Sequence, residues 1–149
     1  MLILIRGAGD IASGIAIRLH RSGMRVVMTD VARPTAIRRT VSFSGAIKSG
    51  RQTVEDVTAR LAATPEEALE ITRRGDIAVL VDENCACLPA IAPDAMVDAI
   101  LAKRNLGTRR DMAPAVIGVG PGFTAGKDCH AVVETMRGHT LGRVYYSGS

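Results

Sequence analysis

The stretch from Met1 to Asp30 limits this chain to few folds, because it places a glycine-rich turn between two apolar runs. Residues 1–5 show no polar alternation, which is typical of a strand buried on both faces of a parallel sheet. Gly7, Gly9 and Ala12 then fit the G-x-G-x-x-G/A pattern. In that pattern the first glycine permits a tight turn, the second admits a phosphate to the backbone, and the third small residue packs helix on strand. The pattern predicts a nucleotide-binding β-α-β unit.

A helix and a second strand are predicted after this turn. Ile11, Ile15 and Leu19 recur at four-residue spacing, so we expect this face of the helix to pack on the sheet. Residues 24–29 form the second apolar run, and Asp30 follows at its end. Units of this kind carry a carboxylate for a ribose diol about 20 residues beyond the first glycine. Asp30 therefore predicts a ligand without a 2′-phosphate, such as NAD rather than NADP.

Asp10, directly after the second glycine, complicates this interpretation. Its negative charge lies where a phosphate would approach, at a cost of about 1 kcal/mol or more unless a cation or a proton intervenes. Three other roles are open to it: capping the helix, binding a metal, or meeting a ligand hydroxyl. The alternative for the whole motif is that its glycines serve the turn alone.

The length and composition favour one cytoplasmic domain. At 149 residues the chain suits a single domain, and we expect residues 1–149 to form one Rossmann-like nucleotide-binding unit. No apolar run approaches a membrane span and no signal peptide is evident, so we expect no membrane partner. The net charge is +4, but aromatic residues make up only 3% and tryptophan is absent, so we expect no nucleic-acid partner.

The middle of the chain carries several helix and strand signals. Thr64 as N-cap, with proline next and glutamate three residues on, predicts a helix over 65–74. Residues 93–105 predict another helix, and a short one is expected to open at Pro34. The alternation within 57–62 predicts a short strand, half buried or at an edge.

Two later apolar runs, 77–81 and 115–119, predict further buried strands. Residues 129–135 and 142–146 predict a possible C-terminal β-hairpin. The predicted fold class is therefore α/β, with a Rossmann-like, doubly wound and mainly parallel sheet.

Because the carboxyl ends of parallel strands meet at one edge, we expect the residues after these strands to line one cleft, which is the argument for a ligand site. The candidate cofactor-binding residues are Gly7, Gly9, Asp10, Ala12, Asp30, Asp82, Gly120, Gly122 and Phe123. We expect Gly9, Asp82 and Gly120 to line one pocket, with His130 or His139 within reach. Asp10 and Asp82 are candidates for Mg²⁺ beside a phosphate, or ordinary turn residues. No catalytic residue is assigned, since no nucleophile, base and orienting acid occur at a recognisable spacing.

Cys85, Cys87 and Cys129 leave three interpretations open. They are soft metal ligands, redox-active thiols, or small buried residues. An odd number of cysteines does not indicate a disulfide framework, so we expect reduced thiols and assign no metal site.

Several sequence blocks, the later ones more specific than the glycine turn, resemble one protein family. The blocks are residues 4–14, 34–39, 79–82, 98–103, 105–108 and 117–126, with Asp128, His130, Glu134, residues 137–139 and residues 141–143. They resemble the selenium-dependent molybdenum hydroxylase system (YqeB) family, which is related to xanthine dehydrogenase accessory proteins. The resemblance implies a bacterial accessory protein for maturation of a molybdenum hydroxylase, with the hydroxylase apoenzyme as its partner. It further implies a nucleotide-bearing cofactor, such as molybdopterin dinucleotide.

Two other functions fit the same residues. One is an NAD(P)-dependent oxidoreductase, although no proton donor is placed. The other is a non-catalytic nucleotide sensor whose arginine-rich faces meet a protein partner. In each case we expect a homo-oligomer.

Overall fold

The structure, a computed structural model, describes residues 1–32 and 42–148. The helix predicted from Pro34 lies outside the described residues. The described strands are β1 (Leu2–Arg6), β2 (Arg25–Asp30), β3 (Arg51–Val54), β4 (Val57–Ala62), β5 (Ile77–Val81), β6 (Ala95–Asp98), β7 (Ala115–Val119), β8 (Ala131–Val133) and β9 (Val144–Tyr145). The described helices are α1 (Asp10–Arg21), α2 (Gly45–Ser49), α3 (Pro65–Arg73), α4 (Leu88–Ile91) and a 3₁₀ turn at Arg110–Met112.

All nine of these strands join one sheet in the order β3-β4-β5-β2-β1-β6-β7-β8-β9. Pairing is parallel from β4 through β8, and only β3 and β9, at the two edges, run antiparallel. From β1 the chain passes to β2 and on to the edge strand β3, returns inward through β4 to β5, and then crosses to the other side of β1 at β6. This reversal is the topological switch point of a Rossmann-like sheet. The predicted fold class and the C-terminal hairpin, formed by β8 and β9, are confirmed.

Two hydrophobic clusters cover the two faces of the sheet. Alternate residues of β1 divide between them: Ile3 and Ile5 pack with α1 and α2, whereas Leu2 and Leu4 pack with α3 and α4. The continuous apolar run of β1 is thereby explained, because its strand is buried on both faces.

The helix predicted over 93–105 is wrong, because Ala95–Asp98 forms the strand β6. β6 pairs in parallel with both β1 and β7, and its last three residues are buried. Asp94, predicted to open a helix, instead accepts a hydrogen bond from the backbone N–H of Leu2 at 2.8 Å. A short apolar run has no period long enough to distinguish a helix from a buried strand, so pairing with β1 decided its structure.

The predicted buried face of α1 is confirmed in part. Ile15 and Leu19 are partly buried and pack against the core, but Ile11 is 46% exposed, and the fully buried residues are Ala12, Ser13, Ala16 and Ile17. Small side chains let the helix lie close to the sheet, as the third small position of the glycine motif predicts.

In the described part of the chain, no helix combines the length and apolar character needed to cross a membrane.

Candidate functional site

The switch point places two chain segments in close contact at the carboxyl edge of the sheet. β1 ends at Arg6 and continues into the glycine turn, and β6 ends beside it at Asp98. Gly7 has φ of +112°, and a Cβ there would approach the backbone carbonyl oxygen of Ala99 to 3.0 Å. Gly7 is therefore required by the packing of these two segments as well as by its turn.

Two adjoining cavities open at this edge. The first, which we call the glycine-turn cavity, has a volume of about 390 Å³ and is lined by Gly7, Ala8, Gly9, Asp10, Ile11, Asp30, Val31, Ala99, Ile100 and Leu101. The second, which we call the Arg6 cavity, has a volume of about 310 Å³ and is lined by Arg6, Gly7, Thr29, Asp30, Val31, Asp82, Glu83, Asn84, Ile100 and Leu106. They share Gly7, Asp30, Val31 and Ile100, so a single ligand can extend through both.

Hydrogen bonds hold the glycine turn from both sides. The N–H of Gly7 donates to the carbonyl of Thr29 at 2.7 Å, and the N–H of Ala8 donates to Oδ2 of Asp30 at 3.1 Å. The carbonyl of Ala8 accepts from the N–H of Ser44 at 2.9 Å and from Oγ of Ser42 at 2.7 Å. The start of α1, whose first backbone N–H groups have no partner within the helix, lines the glycine-turn cavity.

Gly9 differs from the other glycines at this edge. Its φ is −72°, a value open to any residue, and a Cβ there would meet nothing within 4 Å among the described residues. Neither the backbone nor the packing of the described residues requires glycine at this position. Two physical reasons for a glycine remain: it is a favourable N-cap, and it leaves room for a group that approaches from the cavity.

The second glycine turn is explained within the chain. Gly120 and Gly122 have φ of +90° and +99°, and side chains there would collide with Leu101 and with the backbone of Arg104, respectively. Phe123 is buried, and its ring occupies the space that a side chain at residue 118 would need. Gly120 follows β7 at the same edge as Gly9, but it lines neither cavity.

Asp30 lies where the two cavities meet. Its carboxylate accepts the N–H groups of Val31 and Ala8, at 2.8 and 3.1 Å. Burial raises the pKa of Asp30 above its ordinary value, and the two N–H groups offset part of that rise. The predicted ribose-binding carboxylate is therefore on the cavity wall, although part of its hydrogen-bonding capacity is already used.

The other two candidate carboxylates have different settings. Asp82 lines the Arg6 cavity and accepts the N–H groups of Ala86 and Cys87, at 2.8 and 2.7 Å, which makes it a turn residue as well. Asp10 is exposed in the first turn of α1, where Gly9 is the N-cap and makes no side-chain hydrogen bond. Among the described residues, no group of three acidic, histidine or cysteine side chains is arranged to hold a metal.

Arg6, which the sequence did not single out as a site residue, is 5% exposed at the end of β1. Its Nη1 donates to Oγ1 of Thr108 at 3.0 Å and lies 3.8 Å from Oδ2 of Asp98, and its Nη2 donates to the carbonyl of Glu83 at 3.0 Å. Its Nε is buried and has no hydrogen-bond partner among the described residues. The available signal was an arginine directly following an apolar strand that was predicted to be buried.

The three cysteines and His130 line neither the glycine-turn cavity nor the Arg6 cavity. Cys85, Cys87 and Cys129 are free and buried, and burial raises the pKa of each thiol, which keeps them protonated. Nδ1 of His130 accepts the N–H of Val116 at 2.9 Å, near the start of β7. That is the opposite edge of the sheet, so the expectation that His130 lies within reach of Gly9 is wrong.

The structure thus brings Gly7, Gly9, Asp10 and Asp30 to one cavity and adds Asp82 through the adjoining one. Ala12 is buried beneath α1, and Gly120, Gly122 and Phe123 take part in packing. Neither of the two cavities is lined by Gly9, Asp82 and Gly120 together, although all three residues lie at the carboxyl edge.

These observations place the chain in the class of α/β proteins that have a Rossmann-like sheet with a cleft at its switch point. Over 147 residues the chain is 60% identical to "Uncharacterized protein YqeB" from Escherichia coli strain K12, a match that covers 99% of this chain. The similarity supports a relationship to the YqeB family. The chain spans only 27% of that relative's length. No protein-family model and no solved structure matches the chain.

Proposed function

We propose that this chain binds the nucleotide portion of a cofactor across the glycine-turn and Arg6 cavities. The observation that carries the proposal is Gly9, whose missing side chain neither its backbone angle nor the packing of the described residues explains. Open space in front of a glycine at a helix start suits a phosphate, which gains from the helix dipole and the unpaired N–H groups. Asp30, at the junction of the two cavities, suits a ribose diol.

The proposed cofactor is molybdopterin dinucleotide, bound during maturation of a molybdenum hydroxylase whose apoenzyme is the protein partner. This part of the proposal rests on the sequence resemblance described above. The dimensions of the cleft support the nucleotide portion, since volumes of about 390 and 310 Å³ fall at the lower end of the range of ligand pockets.

The test is a calorimetric titration of the chain with NAD(H), NADP(H) and cytidine nucleotides, in the wild type and in Gly9→Val. We expect the wild type to bind at least one of these ligands and the folded variant to bind none, because a valine side chain fills the phosphate approach. Gly14→Ala is the matched control, since Gly14 is exposed further along the same helix and a Cβ there meets nothing within 4 Å among the described residues.

The control is expected to bind like the wild type. Unchanged affinity in a folded Gly9→Val protein would contradict the assignment of the glycine turn. Binding of cytidine nucleotides in preference to NAD(H) and NADP(H) would support the molybdopterin dinucleotide over an oxidoreductase cofactor.

A further inference from the structure

We infer that the Arg6 cavity is the subsite for a neutral heterocyclic base carrying an amino group, which deepens the proposed function and rests on it. Three features of the cavity point to this ligand: its position, its charge and the hydrogen-bond acceptors in its wall.

The position of the cavity separates the base from the phosphate. The start of α1 lines the glycine-turn cavity, and Asp30 forms part of the wall shared by the two cavities. A nucleotide with its phosphate at the helix start and its ribose at Asp30 therefore extends its base into the Arg6 cavity. The apolar residues there, Val31, Ile100 and Leu106, offer surfaces for the ring. Leu106 is 41% exposed, and a bound ring would cover part of its side chain.

The charge of the described part of the wall disfavours a second anionic group. Asp30, Asp82 and Glu83 all line the cavity, whereas Arg6 is the one cation among its described lining residues. The guanidinium of Arg6 is already paired with Asp98, at 3.8 Å. A phosphate or carboxylate there would face uncompensated negative charge, while a neutral ring would not.

The hydrogen-bonding groups of the wall select among neutral rings. Its carboxylates accept hydrogen bonds and cannot donate them, so they favour an amino group over a keto oxygen. Nε of Arg6 has no hydrogen-bond partner among the described residues, but it is buried, so this selection rests on the carboxylates. Adenine and cytosine carry an amino group beside a ring nitrogen, whereas hypoxanthine and uracil carry a keto group in its place.

The test compares ADP with IDP, CDP with UDP, and all four with inorganic pyrophosphate, by calorimetry on the complete chain. In whichever pair binds, we expect the amino-bearing member to bind about tenfold more tightly, because a keto oxygen leaves a carboxylate facing an acceptor. Equal affinities within the pair would overturn the inference and leave the proposed function standing. Failure of all five ligands to bind would overturn both.

Leu106→Ala provides a second measurement that leaves the buried Arg6 cluster unchanged. We expect this variant to weaken nucleoside diphosphate binding severalfold and to leave pyrophosphate affinity unchanged, because pyrophosphate does not reach the ring surface. Leu141→Ala is the control, since Leu141 is 59% exposed next to the C-terminal hairpin and lines neither cavity. A Leu106→Ala protein that binds nucleoside diphosphates like the control would overturn the inference.

Discussion

Gly7 and Gly9 are two residues apart in one motif, yet they have different physical reasons to be glycine. Gly7 is fixed by its positive φ and by the carbonyl of Ala99, whereas Gly9 has an ordinary φ and open space before it. Sequence alone assigns both to the same fingerprint, because the contact between Gly7 and Ala99 depends on β6 lying beside β1. The distinction between a structural and a ligand-facing glycine therefore required the structure.

This distinction predicts different stabilities for two alanine variants. We expect Gly7→Ala to lower the free energy of unfolding by about 2 kcal/mol or more, through backbone strain and contact with Ala99. Gly9→Ala should cost at most about 1 kcal/mol, the difference between glycine and alanine at an N-cap. Urea denaturation of both variants measures this, and equal losses would contradict the separate roles.

Asp30 predicts a pH dependence of stability. Unfolded, its carboxyl titrates near the ordinary value of about 3.9. Folded, burial raises the pKa of Asp30, so between the two values the folded chain retains a proton that the unfolded chain has released. Its contribution to stability is therefore complete below the unfolded pKa and is lost as pH rises through the folded pKa.

We accordingly expect the wild type to lose stability relative to Asp30→Asn as pH rises from about 3.5 to 7. Urea denaturation at a series of pH values measures the difference in unfolding free energy between the two proteins. A difference that stays constant, or that grows in favour of the wild type, would show that burial does not dominate the pKa of Asp30.

At the scale of elements, sequence patterns predicted the helices and strands whose stabilising contacts join residues close together in the chain. Thr64 is the N-cap of α3, and its hydroxyl accepts the N–H of Glu67 at 3.1 Å, as predicted. β6 was missed because Ala95–Asp98 is a strand only through its neighbours β1 and β7. β3 was missed as well, since three of its four residues carry charged or polar side chains and the strand pairs with β4 at the edge of the sheet. It was predictable from the sequence that the residues after the parallel strands would meet at one edge of the sheet. The residues that line the two cavities were not predictable, because several of them belong to the segment after β6.

The cap of α3 gives a direct test at this scale. We expect Thr64→Ala to lower the free energy of unfolding by about 1 kcal/mol, because the N–H of Glu67 loses its acceptor. Thr64→Ser keeps the hydroxyl and should remain close to the wild type in thermal or urea denaturation. An equal loss in both variants would indicate that the threonine methyl group, rather than the cap, stabilises this end of the helix.

At the scale of the whole molecule, the two halves of the sheet meet through a buried polar cluster. Arg6 at the end of β1 contacts Asp98 at the end of β6, the hydroxyl of Thr108 and the carbonyl of Glu83 beyond β5. Thr108 also donates to Oδ2 of Asp98 at 2.6 Å. One guanidinium therefore contacts groups at the ends of β1 and β6 and beyond the end of β5, on both sides of the switch point. Arg6 also lines the Arg6 cavity, so the same side chain connects the two halves of the sheet and forms part of the cavity wall.

This cluster predicts strong coupling between Arg6 and Asp98. Each is at least 94% buried in its side chain, so removing one partner leaves an unpaired charge in the interior. We expect Arg6→Met and Asp98→Asn each to lower the free energy of unfolding by about 3 kcal/mol or more. In the double variant both charges are gone, and the total loss should fall short of the sum of the single losses by about 1–3 kcal/mol. Additive losses in urea denaturation would mean that each residue is held by its other contacts, and that the Arg6–Asp98 ion pair adds nothing to the backbone pairing of β1 with β6.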